Sequence, residues 1–476
     1  MACGLIQPLV THLGQPNVES VKQHIPLDRD LALESEVLHN LWQKALVSLQ
    51  SLQTPLGVVA SGQHDHFHAI FGRDSLWTVL LTLEAGRLLQ TVQRELETQE
   101  RGYTYPPSIP APDFYHSWLY ELAASVLRGL ASLQGTEVND TNEEQPGRIV
   151  HEYWDPVPQR MIAARWPVLN GRYYGAFDAT FLYLITLAEV DAFFHDVALL
   201  EELWPSADAA LHWMLNWSDL DSDGLVEYTR RNPEGIGLAN QVWKDSGESI
   251  QPRDHIPLSH PLAWVEVQGY AWAAYRAYIE LAQKRNCLDP TLEKEIQHRL
   301  EGIPKGLQRF WLKEELYPAI ALDGQKNPIE VVASNPGHLL WSGCIDKLQA
   351  EQICKRLMRP DLLTPWGLRT ISEHAYYYNP LMYHCGAIWP FDNAVTAIGL
   401  LRYGYNAEAR RIAQGVLHAM HAFDDPVELY TVQPARWLRF PRIEQEWFLA
   451  DYFQACSVQA WTAAATLYLV AMLLYG

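Results

Sequence analysis

Apolar residues recur every three to four positions along most of the chain, the spacing that places them on one face of an α-helix. The first such stretch is LALESEVLHNLWQKALVSLQSL at 31–52. Strand-like alternation of apolar and polar residues is rare by comparison. The pattern predicts eleven helices, or twelve with a short one near Pro336–Leu340. Besides the first, they lie at about 75–94, 115–133, 177–195, 198–217, 263–284, 290–313, 346–358, 385–403, 405–422 and 460–475.

Several of these helices are apolar on more than one face, and such helices need packing partners on both sides. Helices this numerous favour two concentric layers over a single bundle. We therefore predict an all-α fold, specifically an α/α toroid of paired helices. No linker rich in Gly, Ser or Pro and no sequence repeat divides the chain. Residues 1–476 are expected to form one domain, with a poorly defined segment at about 1–28.

The composition is that of a globular protein with a large core, because 48% of the residues are hydrophobic and 19% are charged. The 56 acidic and 36 basic residues give a net charge of -20. This charge opposes binding to nucleic-acid phosphates or to an anionic membrane, so a neutral or cationic ligand is expected. The 18 Trp and 23 Tyr are numerous, and their flat rings suit sugar faces as well as protein cores.

The apolar run at 460–475 could be a membrane anchor or a buried inner helix. It contains Thr462 and Thr466, follows Gln459 and has no basic flank, so the buried helix is favoured. The six cysteines form no C-x-x-C pair and are too few for a disulfide scaffold. The first residues lack the basic and apolar regions of a secretion signal. These features favour a cytoplasmic protein with reduced thiols.

Four long loops are rich in Trp, Tyr, His and carboxylates, and long loops in a compact domain usually carry function. They lie at Val58–Asp74, Gly224–Val265, Gly367–Phe391 and Phe423–Ala455. If the helices pair around a ring, the loops that enter the inner helices converge at one end. We expect the functional pocket at that end.

Acidic residues in two of these loops are candidates for catalysis. Asp245 and Glu248 lie in NQVWKDSGESI at 240–250, although Asp-Ser-Gly is also ordinary turn chemistry. Glu428 lies in DDPVELY, in another loop. A glycosidase needs such a pair: one carboxylic acid protonates the leaving oxygen, and one carboxylate activates water or attacks the anomeric carbon. An Asp and a Glu on facing loops satisfy this requirement.

NQVWKDSGESI and the following WVEVQGYAWAA (264–274) belong to a series of blocks that run through the chain. The other blocks are FGRDSLW, YYGAFDAT, DSDGLVEY, SNPGHLLWSG, WGLRT, NPLMYHCGAIWPFDNA and QACSVQAW. Together, from about residue 58 to the C-terminus, they resemble bacterial amylo-α-1,6-glucosidase-like glycoside hydrolases. The resemblance implies a glucoamylase-type (α/α)6 barrel, in agreement with the helix pattern.

The resemblance also implies roles for individual residues. Asp245, the Asp of W-K-D-S, is the expected general acid, and Glu428 is the expected general base. Arg73 and Asp74 would hold hydroxyls of the non-reducing sugar, because Arg offers donors and Asp offers acceptors. A buried ion pair at the start of the following helix is the alternative. The other expected residues of the pocket wall are Tyr174, Asp178, Trp243, Lys244, Glu266, Gln268, Tyr383, His384 and Trp389.

Two motifs could bind a metal, but each has a simpler interpretation. HDHFH places His64, His66 and His68 on one side of an extended segment, where a pocket wall or ordinary loop is favoured. DLDSDGLVEYTR (219–230) begins like a calcium loop, yet Arg230 stands where an EF-hand has a bidentate Glu, so an Asx-Gly turn is favoured. The sequence contains no nucleotide-binding glycine motif. We therefore predict no metal and no cofactor.

The leading functional hypothesis is an exo-acting α-glucosidase that removes one glucose by inversion from a short or branched α-glucoside. Its partner would be a small carbohydrate rather than nucleic acid or a membrane. Isomaltose-like ends, glucosylglycerol-type solutes and trehalose all fit this description. Two alternatives stay open. One is a sugar epimerase or isomerase on the same barrel, with proton transfer by histidines such as His384. The other is a catalytically inactive glycan-binding protein.

Overall fold

Helices account for most of the regular structure. The computed structural model describes residues 21–26, 33–97, 112–253, 257–434 and 446–476, which contain thirteen α-helices. They are α1 (Ser35–Leu52), α2 (Gly72–Glu97), α3 (Pro112–Ser132), α4 (Gln159–Ala163), α5 (Ala179–Phe194), α6 (Val197–Trp217), α7 (Val265–Lys284), α8 (Pro290–Gly306), α9 (Gly337–Ser342), α10 (Lys347–Leu357), α11 (Pro390–Arg402), α12 (Asn406–Ala422) and α13 (Ala460–Tyr475). All twelve predicted helices are present, and the short α4 was not predicted.

Two predicted helices are shorter in the structure than the apolar pattern indicated. The helix predicted at 290–313 ends at Gly306, because Pro304 and the glycine both weaken its last turn. The helix predicted at 385–403 begins only at Pro390. Proline is well suited to the first turn of a helix, since its missing N–H would have no partner there. The residues before it are thereby left in a loop.

Six helices form a closed inner ring. In ring order they are α2, α5, α7, α9, α11 and α13, and α13 packs back against α2. An outer layer of α1, α3, α6, α8, α10 and α12 packs against this ring. The predicted (α/α)6 barrel is therefore confirmed.

The inner helices are buried on all sides, which is why they form the ring. Every residue of α13 from Ala460 to Met472 is buried, and so is every residue of α5 from Ala179 to Leu187. The apolar run near the end of the sequence is thus an inner helix of the barrel. Among the described residues, no helix combines the length and the apolar content needed to cross a bilayer.

The first residues of the inner helices lie at the end of the barrel where the long loops meet. The N-cap residues Asp178 of α5, Trp389 of α11 and Gln459 of α13 make no side-chain bond to their own helices. Two of the outer helices differ: Asp196 caps α6 and Asp289 caps α8, each accepting bonds from two backbone N–H groups. The side chains at the inner helix starts are therefore available to a shared site.

Short antiparallel strands shape the loops. They are β1 (Val21–Pro26), β2 (Gln53–Thr54), β3 (Gly57–Val58), β4 (Ile70–Phe71), β5 (Glu152–Tyr153), β6 (Arg172–Tyr173), β7 (Ala263–Trp264), β8 (Trp311–Leu312), β9 (Tyr317–Pro318), β10 (Ala321–Leu322), β11 (Pro328–Ile329), β12 (Leu363–Thr364), β13 (Gly367–Leu368), β14 (Tyr430–Pro434) and β15 (Glu446–Asp451). Three-stranded sheets have the orders β1-β15-β14, β4-β5-β6 and β7-β10-β11, and the others are two-stranded. Of the segment predicted to be poorly defined, only β1 belongs to the described residues.

Aromatic side chains fill the axis of the ring below its loop end. Trp77 contacts the rings of Tyr270, His338, Trp341 and Phe391, with centroids 4.8 to 6.4 Å apart. These residues come from α2, α7, α9 and α11, and all of them are buried. The barrel is closed across its axis at this level.

Candidate active site

A cavity of about 340 Å³ lies at the loop end of the barrel. All four long loops contribute to its walls, as the ring arrangement implied. The predicted site residues that line it are Arg73, Asp74, Trp243, Asp245, Tyr383, His384, Trp389 and Glu428. Both candidate catalytic carboxylates therefore face the same space, although they lie far apart in the sequence.

Asp245 is held at the cavity by Arg73, the second residue of α2. The guanidinium donates from Nη1 to Asp245 Oδ2 at 3.3 Å and from Nε to Asp178 Oδ2 at 2.7 Å. Arg73 and Asp178 are buried, whereas 24% of the Asp245 side chain is exposed. Burial raises the pKa of Asp245 to about 6; Arg73 opposes this rise and Asp178 adds to it. A carboxyl group with a pKa this much closer to neutral is protonated in part of the molecules there, which suits a general acid.

Glu428 is buried, and each of its carboxylate oxygens accepts a hydrogen bond. The Tyr383 hydroxyl donates to Oε1, and the backbone N–H of Cys456 donates to Oε2 at 3.0 Å. Burial raises the pKa of Glu428 to about 7; these hydrogen bonds oppose the rise, and the charge of Asp245 adds to it. Two donors orient the carboxylate and stabilise its ionised form, as a general base requires.

Asp74 follows Arg73 in the chain and provides a third carboxyl group at the cavity. Its Oδ1 accepts a hydrogen bond from Gln459 Nε2 at 2.9 Å. Burial raises the pKa of Asp74 to about 8; Arg73 opposes this, and Glu428 and Asp245 add to it. The group is therefore protonated at neutral pH and can donate as well as accept hydrogen bonds. The ion pairs of Arg73 run to other carboxylates, not to Asp74.

The aromatic residues of the cavity belong partly to the core. Trp389 stacks on His384 with ring centroids 5.0 Å apart, and its indole N–H donates to Tyr383 O at 2.9 Å. Trp243 meets Trp389 edge-on at 6.0 Å. Both tryptophans line the cavity, yet each is only 1% exposed. Each indole therefore offers a small part of its surface to a ligand and packs the rest against protein.

Tyr174 and Gln268, also predicted at the pocket wall, lie outside the cavity lining. The Tyr174 hydroxyl donates to Leu133 O at 2.9 Å. The Gln268 amide bonds to both the N–H and the carbonyl of Val226, at 2.9 and 2.6 Å. These side chains stabilise the barrel in this structure, and the sugar site proposed below does not include them.

Three more predicted residues are buried behind the cavity wall. Asp178 supports Arg73. Lys244 donates from Nζ to Thr370 O at 2.5 Å, and burial lowers its pKa although neighbouring carboxylates oppose this. Burial raises the pKa of Glu266. Asp178 contacts Arg73, and the Lys244 ammonium lies over the ring of Trp243, so these two residues act on the cavity through residues of its wall.

Glu152 on β5 lines the cavity and was not predicted. Its Oε2 accepts from the indole N–H of Trp154 at 2.8 Å, and its Oε1 accepts from that of Trp166. Burial raises the pKa of Glu152 to about 7, and the two indoles oppose the rise. The sequence signal that could have revealed it is a charged residue among the apolar and aromatic residues from Ile149 to Trp154, where His151 is the other polar residue.

Arg230 is a second unpredicted cavity residue, and it is half-buried. Its Nη1 donates to Gly237 O at 3.4 Å. Among the described residues, no carboxylate lies within salt-bridge distance of this guanidinium, whereas Arg73 has two such partners. An unpaired guanidinium at a cavity can receive an anionic group of a ligand.

The acidic loop at 219–230 is neutralised by cationic side chains. The described carboxylates that are close enough to share an ion are those of Asp219, Asp221 and Glu227. The Lys326 ammonium lies among them, 3.1 Å from Asp221 and also paired with Glu227, and Arg299 pairs with Asp219. Gly224 has a φ of 88°, in the left-handed region that favours glycine in turns. In the described ranges, the histidines of HDHFH join no group that could share an ion.

The barrel and the match to a family of known enzymes together define a glycoside hydrolase of the six-hairpin barrel type. A family model described as a mannosylglycerate hydrolase MGH1-like glycoside hydrolase domain matches residues 140–431, which is more than half of the chain. The chain belongs to this family. The predicted class of enzyme is thus confirmed, although the matching family is named for mannosylglycerate hydrolases rather than amylo-α-1,6-glucosidases.

Solved structures share the fold at low sequence identity. A GH63 mannosylglycerate hydrolase from Thermus thermophilus, in complex with Tris and D-glycerate, has a TM-score of 0.61 and 15% identity over 90% of this chain and 99% of that chain. A glucose complex of this enzyme gives 0.60 and 17% over the same shares. A rhamnosidase from Klebsiella oxytoca with rhamnose bound gives 0.52 and 14% over 93% of this chain and 64% of that chain. No curated protein sequence matches the chain.

Proposed function

We propose that the protein is an inverting, exo-acting α-glycosidase that removes one glucose unit from a small α-glucoside. Asp245 acts as the general acid and Glu428 as the general base. The observation that carries this proposal is that these two carboxyl groups line one cavity above a barrel axis closed by aromatic side chains. A cavity that is closed along the barrel axis fits the end of a glycoside better than the middle of a polysaccharide chain.

In the proposed reaction, Asp245 transfers its proton to the glycosidic oxygen as the bond from that oxygen to the anomeric carbon breaks. Glu428 takes a proton from a water molecule whose oxygen bonds to the same carbon from the opposite face. The anomeric configuration is thereby inverted. Arg73, Asp74 and Gln459 supply donors and acceptors for sugar hydroxyls, and both carboxyl groups return to their starting states by proton exchange with water.

The pH dependence of kcat/KM should be bell-shaped, with its maximum between about pH 6 and 7. Asp245 and Glu428 have pKa values raised to about 6 and about 7, and the reaction needs a proton on Asp245 and none on Glu428. With these values that form is the less populated of the two singly protonated forms of the pair, but both forms reach their maximum in the same pH window because they carry the same number of protons. Below this window both groups are protonated and the base is lost. Above it both are ionised and the acid is lost. Initial rates across the pH range check this, and a profile that stays flat through the window contradicts it.

The aglycone is proposed to carry a carboxylate. The net charge of the whole chain favours a neutral or cationic ligand, but the cavity wall also contains the Arg230 guanidinium, which pairs with no carboxylate in the part of the chain that the structure describes. The names of the family and of its Thermus relative, a mannosylglycerate hydrolase seen with D-glycerate, support a small hydroxy acid in this position. Glu152 would accept a hydrogen bond from a hydroxyl of the same ligand.

Replacing Arg230 with glutamine should lower kcat/KM about 10- to 100-fold for α-glucosylglycerate, because one charge-assisted hydrogen bond is lost. The neutral α-glucosylglycerol should be affected little. Arg128→Gln, which removes an outer-layer arginine paired with Glu202, is the matched control. Equal losses on both substrates would show that Arg230 does not recognise a carboxylate.

The proposed function is tested by incubating the protein with α-glucosides and α-mannosides of glycerate, glycerol and glucose. Mass spectrometry should detect free hexose and aglycone. An unchanged mass with altered stereochemistry would instead indicate an epimerase that uses a residue such as His384. Binding without any conversion would indicate a glycan-binding protein.

A further inference from the structure

Asp65, from the HDHFH motif, holds a segment that is distant in the sequence. Its Oδ1 accepts a hydrogen bond from the backbone N–H of Ser457 at 3.0 Å, and its Oδ2 accepts one from the N–H of Val458 at 3.2 Å. The Ser457 hydroxyl lies 3.1 and 3.2 Å from the two oxygens and donates to one of them. One carboxylate thus fixes two consecutive peptide groups.

The residues on either side of these two peptides contact the active site. Cys456 donates its backbone N–H to Glu428 Oε2 at 3.0 Å, and its carbonyl accepts from the Glu428 N–H at 3.0 Å. On the other side, Gln459 donates to Asp74. Residues 456–459 therefore connect the partly exposed Asp65 with two carboxyl groups of the cavity, those of Glu428 and Asp74.

We propose that Asp65 is a positioning residue of the active site, which holds the Cys456 N–H against Glu428 by fixing the peptides of Ser457 and Val458. The proposal rests on the proposed role of Glu428 as general base. Asp65 is partly exposed and does not line the cavity, so its action is indirect. No other side chain among the described residues accepts a hydrogen bond from these two N–H groups.

Loss of the Asp65 carboxylate should raise the pKa of Glu428. A hydrogen bond from an N–H group stabilises the ionised carboxylate and lowers its pKa. If residues 456–458 lose their fixed position, this bond weakens and the pKa of Glu428 rises further. The other groups that influence Glu428 are the Tyr383 hydroxyl, the carboxyls of Asp245 and Asp74, and the Cys456 thiol, and substitution of Asp65 leaves them in place.

The test compares Asp65→Ala with Asp289→Ala. Asp289 also accepts from two backbone N–H groups, at 2.9 and 3.0 Å, but it caps the outer helix α8. In Asp65→Ala, the acidic limb of kcat/KM against pH should move up by about 0.5 to 1 unit, which lowers activity on that limb about three- to tenfold. Asp289→Ala should lose similar thermal stability without this movement. Tyr383→Phe, which removes the other donor to Glu428, is the positive control.

A second readout needs no substrate. The carboxyl of Glu428 is titrated by infrared difference spectroscopy, with Glu428→Gln identifying its signal. The signal should titrate at higher pH in Asp65→Ala. If wild-type protein hydrolyses no glycoside but this shift occurs, the positioning contact stands and the catalytic assignment fails. If both the pH limb and the Glu428 titration stay at their wild-type positions, or if Asp289→Ala moves them equally, Asp65 is only a structural residue.

Discussion

Replacing Asp245 with asparagine should lower kcat by about two to four orders of magnitude on glucosides with poor leaving groups, since general acid catalysis contributes this much. The amide keeps the shape of the side chain and an oxygen that can still accept from Arg73 Nη1. It has no proton to give to the glycosidic oxygen. Folding and affinity for the sugar should therefore change little, and steady-state kinetics with a binding assay check both.

The leaving group provides an internal control for this variant. The fluoride ion of a glucosyl fluoride leaves without being protonated. Hydrolysis of this substrate should therefore fall far less in Asp245→Asn than hydrolysis of an alkyl glucoside. Equal losses on the two substrates would mean that Asp245 does something other than donate a proton. Near-wild-type activity on the alkyl glucoside would remove it from the mechanism.

Replacing Glu428 with glutamine should lower kcat by a similar factor of about 10² to 10⁴ for every leaving group, including fluoride. The water must then attack without a base, however good the leaving group is. The amide oxygen can still accept from the Cys456 N–H, and the amide NH2 can donate to the Tyr383 hydroxyl oxygen, so the side chain keeps two partners and the loss reflects chemistry more than geometry. Comparing fluoride and alkyl substrates across the two variants separates the acid from the base.

The product anomer tests the same assignment in the wild-type enzyme. Inversion of an α-glucoside releases β-glucose first, and proton NMR in the first minutes detects it before mutarotation. The Asp245→Asn variant, which keeps Glu428, should accumulate no glycosyl-enzyme with a glucosyl fluoride, because no covalent intermediate forms on this route. Initial α-glucose, or a trapped adduct on Glu428, would make this residue a nucleophile instead of a base.

The barrel could be predicted from the sequence because its inner helices are apolar on all sides. In α5 and α13 the apolar residues cover every face, and that pattern requires two layers of packing. The short α9 could be predicted only as a possible twelfth element. Its six residues are too few for a periodic signal, and its place in the ring is decided by its packing against α7 and α11.

Only part of the candidate site could be predicted from the sequence, because several of its residues lie outside any recognisable pattern. Asp245 and Glu428 could be proposed because their motifs resemble those of a glycoside hydrolase family, whereas Asp-Ser-Gly by itself is also ordinary turn chemistry. Glu152 and Arg230 reach the cavity from a two-residue strand and a loop, where no periodicity exists. The donor to Glu428 Oε2 is a backbone N–H at Cys456, a group that almost every residue type possesses, so only its position in the fold gives it a role.

The aromatic layer around Trp77 has a consequence for the order of events in turnover. With the axis closed below the cavity, an exo-acting hydrolase of the kind proposed above would admit its substrate sugar first and release both products by the route of entry. The aglycone would then leave before the hexose, and free hexose would compete with incoming substrate. We therefore expect distributive action, in which the ligand is released after each cleavage, together with inhibition by the sugar product.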